Sequence, residues 1–228
     1  MKKTILIAFL ISLPGQFVSA QNVIRPNNID TVRFHFSPKD KHVVVNGASL
    51  GFSIHPWSAG TDTCFVEMNG LNLELGPMGI IGGIWGTMYG LAGDKDSKGN
   101  KLSFFSRHPY NDSVFYAKYG TFVNGVSISI GGVGETINKG VIVNGLSCFS
   151  FKTTGLLVSG LINRNYKFNG LSIAGLANVA QIVKGVQIGL INKCQTGQVL
   201  QIGLFNRIGK RIVPIINFRF KKGSKTIS

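Results

Sequence analysis

Acidic residues are scarce in this chain: nine Asp and Glu stand against 24 Lys and Arg, and only 14% of the 228 residues are charged. An ordinary soluble domain carries about 25% charged residues. With 44% hydrophobic residues, the chain is too apolar to stay a solvated coil, which excludes disorder over most of its length. Proline numbers only 7 and Gly does not recur every third residue, so a collagen helix is excluded. Cysteine numbers three, Cys64, Cys148 and Cys194, so at most one disulfide can close within the chain and no disulfide framework holds it together.

Residues that do chemistry are also few. His35, His42, His55 and His108 fit neither an HExxH pair nor a short zinc spacing. No GxSxG, Walker loop or CxxC is present, and Glu67 and Glu74 are the only carboxylates that suggest a pair. The sequence therefore reads as non-enzymatic, with no cofactor and no metal. The alternation of Asp94, Asp96, Ser97 and Asn100 has the flavour of a calcium loop but lacks its terminal Glu.

The N-terminus has the three regions of a secretory signal peptide. Lys2 and Lys3 precede an apolar run from Ile5 to Leu13, and Val18-Ser19-Ala20 precedes Gln21. Cleavage is expected between Ala20 and Gln21. The run is too short to span a bilayer comfortably, and no Cys follows it that could carry a lipid. Export is the expectation.

What the chain has in excess is glycine, 30 residues of it. Each would cost a helix interior about 1 kcal/mol, which points to β structure. Gly125, Gly140, Gly155, Gly170 and Gly185 are spaced by 15 residues, and Val199 follows at 14. The clearest units run Gly155–Asn163, Gly170–Asn178, Gly185–Asn192 and Val199–Asn206, each an apolar stretch closed by Asn. A second element, Asn-Gly between apolar residues, recurs at Asn46, Asn69, Asn124, Asn144 and Asn169. Within the units Val186, Ile188 and Leu190 alternate with Gln187 and Gly189, and Val126, Ile128 and Ile130 with Ser127 and Ser129. This period of two describes strands with one aliphatic and one small or polar face. Two units are one residue longer than the other two, so bulges are expected in the Gly155 and Gly170 units.

A 15-residue unit can supply one tilted membrane-crossing strand with its turn, or one small coil of a β-solenoid whose identical residues stack in ladders. The first is the main expectation: an all-β, small antiparallel outer-membrane β-barrel. In it Val186, Ile188, Leu190, Ile202 and Leu204 face lipid or a dry core, and Ser127, Gln187, Gly189 and Gln201 line the opposite, narrow face. The second, a secreted or surface solenoid acting as an adhesin or glycan-binding module, is the alternative. It predicts parallel ladders of Asn163, Asn178, Asn192 and Asn206. Asn178 stacked on Asn192 at one edge decides for the solenoid.

The repeated Gly-(Leu/Val)-x-Ile-Gly-Leu-x-Asn units, with the ending Arg211-Ile-Val-Pro-Ile-Ile-Asn-Phe-Arg-Phe220, resemble uncharacterised surface-repeat proteins of Bacteroidota and spirochaetes. The resemblance covers about residues 42–90 and 120–220 and implies a cell-envelope location, in the outer membrane or at the surface of a Gram-negative-type bacterium. This sequence departs from it in the tail, Lys221–Ser228. The closing segment, with Ile216, Phe218 and Phe220 alternating with Asn217 and Arg219, looks like the signal that outer-membrane barrels present for assembly.

The positive charge is concentrated. Residues 121–228 hold 13 Lys and Arg against the single acid Glu135. Lys139, Lys152, Arg164, Lys167, Lys184, Lys193, Arg207, Lys210 and Arg211 fall between apolar stretches and read as turn residues. On a barrel they would ring the rims beside lipid phosphates; on a solenoid they would line an edge. Anionic lipid headgroups or an envelope glycan are the expected partners, against a basic rim that only stays solvated. Nucleic acid is disfavoured by export.

The organisation expected is a signal peptide at 1–20, one β-repeat domain at 21–220 and a basic tail at 221–228. The domain comprises degenerate repeats at 42–90, a polar loop at 93–101, regular repeats at 120–206 and a closing strand at 211–220. Residues 75–92 carry no charge, and Gly82, Gly86 and Gly90 recur every four residues. That spacing suits a packed or spanning helix, while Ile80, Ile81, Ile84 and Trp85 suit strands; strand-turn-strand is the expectation.

Overall fold

The computed structural model describes residues 27–37, 42–54, 64–77, 79–80 and 119–220. The signal segment with Ala20 and Gln21, the loop at 93–101, His55, His108, most of 75–92 and the tail at 221–228 lie outside the described residues. At 77 and 79–80 the chain takes a helical turn.

Ten strands follow one another: β1 (Asp30–Ser37), β2 (His42–Gly51), β3 (Cys64–Glu74), β4 (Tyr119–Ser129), β5 (Gly134–Asn144), β6 (Ser147–Ser159), β7 (Ile162–Ala174), β8 (Ala177–Ile188), β9 (Ile191–Ile208) and β10 (Arg211–Arg219). They form one sheet in sequence order. Every neighbouring pair from β1/β2 to β8/β9 is parallel, and only β9/β10 is antiparallel. Asn178 lies beside Asn192 in register. This is a β-solenoid of about 8 turns, which corrects the antiparallel barrel.

The reason lies in what happens inside each 15-residue unit. A barrel strand would run straight through it; here the chain bends and returns over its own start, so Gly140, Gly155, Gly170 and Gly185 stand one above another. Bends fall at Gly160-Leu161 and Gly175-Leu176, between strands. The pairing lapses at Phe151, Tyr166 and Gln181, which are skipped between paired neighbours while the register is kept. The glycine column supplies another turn: Gly155, Gly170 and Gly185 have φ of 124°, 134° and 140°, a backbone that only Gly adopts readily. A Cβ on Gly170 would lie 2.0 Å from the Gly155 carbonyl oxygen. Where Val199 occupies the column, Gly197, two residues earlier, takes over with φ 134°.

The expected bulges in the Gly155 and Gly170 units are not where the extra residue goes. Between β7 and β8, Ile173 and Ala177 pair with Ile188 and Ile191. Three residues (174–176) thus bend in one coil where two (189–190) bend in the next. The bend absorbs the difference and both strands keep their facing.

The core is built from two inward columns that flank the glycines, and within a coil they trade character. Where the column before glycine holds Val123, Phe168 and Val183, the column after it holds Ser127, Ser172 and Gln187. Where the first holds Asn138 and Thr153, the second holds Ile142 and Leu157. Each coil thus fills its interior to close packing with one large apolar and one polar residue. Neighbouring coils take up amide hydrogens of the polar ones: Gln201 donates to Gln187 at 2.8 Å, Asn138 to Thr153 at 3.3 Å and Asn72 to Ser127 at 3.0 Å, while the side-chain oxygens of these three amides have no hydrogen-bond partner among the described residues. Each of these buried amides thus has at least one partner in the next coil.

Both outermost strands are irregular. β1 shifts register between Val32 and Phe34, and β10 between Val213 and Ile215, around Pro214, with Ile215 at φ 66°.

Candidate functional site

Two features rise above scaffold: a ladder of amides within the coil and an aliphatic face outside it. The ladder runs through Asn163, Asn178, Asn192 and Asn206, none of them exposed. Asn163 Nδ2 donates to Asn178 Oδ1 at 3.1 Å, Asn178 Nδ2 to Asn192 Oδ1 at 2.9 Å, and Asn192 Nδ2 to Asn206 Oδ1 at 2.8 Å. The second hydrogen of each amide reaches across the coil to the carbonyl of Ile173, Ile188 or Ile202. The ladder ties stacked coils together and braces each across its bend. Sealed from solvent, it serves architecture and not contact.

Of the two faces that the alternation defines, the aliphatic one is turned outward. The aliphatic side of the repeat forms the exterior, and Ser127, Gln187 and Gln201 lie inside. Of the five residues expected on lipid or a dry core, Ile202, Leu204 and Leu190 are exposed, and Val186 and Ile188 are half-buried by their ladder neighbours; the dry-core option is excluded. Gly189 sits in a bend. The face consists of two columns. One runs from Phe34 through Leu71, Val126, Leu156 and Leu200 to Phe218; the other runs from Phe36 through Leu73, Ile128, Val158 and Ile202 to Ile216. Neither is interrupted by a polar residue across the ten strands. At the adjacent bend, Leu161, Leu190 and Phe205 are exposed as well.

The nine cations do not gather into one edge, nor are they mostly turn residues. Lys139 and Lys184 stand in strands, one position before the glycine column. Lys152 and Lys167 form a neighbouring pair in a second outward column. Arg164 and Lys193 flank Val179 in a third, beyond the bend, and Arg207 is exposed further along β9. Burial holds the Arg164 guanidinium below its usual range. Lys210 is in the β9–β10 turn, and Arg211 donates to Asn217 Oδ1 at 2.6 Å and to the Phe218 carbonyl, clamping the final strand. An outward amide ladder, missed from the Asn-Gly motif, joins Asn124 to Asn69 at 2.9 Å and Asn69 to Asn46 at 3.0 Å.

Comparison of the chain with family models, curated proteins and solved structures returned no match. Chemistry on the molecule therefore rests on its own residues. Among the described residues no group of His, Cys, Asp and Glu could hold a metal, and no helix is long and apolar enough to cross a membrane. His35 is buried in β1, and Glu74 accepts the Ile54 amide at 2.6 Å; both lie within the stack.

Cys148 and Cys194 are free and buried. Burial pushes the Cys148 thiol up from 9.0 to about 12, with a Ser150 hydrogen bond pulling down and the Glu74 charge adding to the rise. Burial pushes Cys194 up to about 11, against the lowering pull of Arg219. Two results follow. At pH 8 a thiol reagent should label neither residue until the protein unfolds. Because the folded values exceed the unfolded one, the stability these thiols contribute is complete below about pH 9 and is lost as pH rises towards 11 to 12. Urea midpoints measured across that interval should fall more steeply for the parent than for a Cys148→Ala, Cys194→Ala variant.

Proposed function

We propose that the protein is an exported, non-enzymatic contact module of the bacterial cell envelope: a surface β-solenoid whose outer columns engage an extended partner. The observation that carries this reading is the outward aliphatic face, ten strands long and continuous. Large exposed apolar patches on soluble folds mark interaction sites, and a column of apolar residues repeated at strand spacing suits a surface or a polymer better than one small molecule. The cations from Lys139 to Arg211 supply affinity for an anionic partner, lipid headgroup or glycan. The outward ladder of Asn46, Asn69 and Asn124 favours a second reading, glycan binding, because exposed amides can exchange hydrogen bonds with sugar hydroxyls.

The test is processing and location. Expressed in a Gram-negative host, the chain should lose residues 1–20, give Gln21 on N-terminal sequencing, and be digested by protease added to intact cells. A full-length chain retained in the cytosol would overturn the reading.

A further inference from the structure

The outward aliphatic face identifies a partner, and we infer that this partner is an anionic lipid membrane on which the solenoid lies lengthwise without crossing it. The inference rests on the reading of the protein as an envelope contact module. Among the described residues no element lies on the face: all ten strands belong to the one sheet whose exterior it is. Phe36 is 61% exposed, Ile128 46% and Phe218 53%. Consecutive strands add about 4.8 Å each, so the face is a strip roughly 43 Å long and about 10 Å wide.

Charge and area choose the occupant. Lys139 and Lys184 stand exposed along one long side of the strip, and Lys193 and Arg207 stand exposed beyond the bend on the other. A second copy seated face to face would set cations against cations in either two-fold arrangement. It would also meet over about 430 Å² of planar area, roughly half of what each partner contributes to a standard stable interface. A membrane carries neither penalty. The apolar strip enters the boundary between headgroups and acyl chains, and the flanking Lys and Arg meet lipid phosphates, the arrangement by which interfacial amphipathic elements bind. An extended anionic glycan would satisfy the cations and leave the two aliphatic columns without a role.

The mature chain should float with vesicles of equal parts phosphatidylglycerol and phosphatidylcholine, and less with phosphatidylcholine alone. Ile128→Thr, Ile173→Thr and Ile188→Thr together keep β-branched residues at outward positions and leave every inward column intact. This variant should retain the parent's β spectrum and a cooperative melt in buffer, at a somewhat lower temperature because Ile173 and Ile188 are half-buried, while losing affinity for the mixed vesicles by at least about tenfold. Lys139→Gln with Lys184→Gln should weaken binding to the mixed vesicles and reduce its salt dependence. The inference is overturned if the parent fails to float with the mixed vesicles or if the threonine variant floats as well as the parent. It is also overturned if the chain ignores vesicles but binds an anionic polysaccharide, or forms a dimer that the threonine substitutions dissociate. In those cases a correctly processed, surface-exposed chain still leaves the envelope reading standing.

Discussion

Gly170→Val should cost the protein more than about 3 kcal/mol and split its unfolding into two transitions. The strained backbone at φ 134° accounts for about 1–3 kcal/mol with any β-branched residue. The new Cβ would also stand 2.0 Å from the Gly155 carbonyl oxygen, a backbone atom that moves only if the coil below it moves. Coils contact only their neighbours, so a break between β6 and β7 uncouples the stack on either side. Gly197→Val should be as damaging, since a Cβ there lies 1.8 Å from the Val183 carbonyl oxygen. The repeat column itself accepts Val199 without harm. Asn169→Ala, on the exposed neighbour of Gly170, should change stability by no more than about 0.5 kcal/mol. Thermal melts followed by circular dichroism check all three.

Asn178→Asp should cost about 3–5 kcal/mol at pH 7, as expected when a buried polar network receives an unpaired charge. The amide uses its whole capacity. It donates to Ile188 O at 2.8 Å and Asn192 Oδ1 at 2.9 Å, and accepts from Asn163 at 3.1 Å and Ser172 at 2.6 Å. A carboxylate of the same shape keeps the two acceptor roles and turns bare oxygen towards two further oxygens. Protonation restores one donor. The folded pKa of the introduced Asp therefore lies above its unfolded value near 4. The variant is least impaired at or below about pH 4 and loses stability as pH rises through the folded value. Urea midpoints of parent and variant, measured from pH 4 to 7, should diverge upward; parallel profiles would mean that Asn178 is not sealed in the ladder.

Much of the architecture is legible in the residues. The 15-residue glycine spacing gives the coil length, and the two-residue alternation gives the two strand faces. Two things are not legible from alternation. One is strand direction, since parallel and antiparallel strands share a period of two. The other is which face is buried: alternation leaves the aliphatic side of Val126 and Ile128 facing either outward or into a dry core, and it is outside, because Ser127, Gln187 and Gln201 find partners in neighbouring coils. A signal for both was present in the asparagines. The same amide recurring at Asn163, Asn178, Asn192 and Asn206 can be buried only by stacking on itself, which requires parallel register. Further towards the N-terminus the signal is hidden by an insertion: Gly70 and Gly125 are stacked neighbours, although 55 residues of chain separate them. The outward aliphatic face was legible least of all, because an alternating pattern alone does not separate an exposed aliphatic side from a buried one.

The last strand has a consequence for size. Every parallel coil offers the next chain segment the same row of backbone groups that it accepted from the one before, so a perfect stack could grow by adding further copies end to end. β10 reverses direction, and Pro214 removes one amide donor while Ile215, in a left-handed backbone, breaks the spacing of the rest. At that end the molecule reads as a terminated template, a rod of fixed length and polarity. Copies crowding on one surface would then lie side by side as discrete units, with no fibre extending past β10.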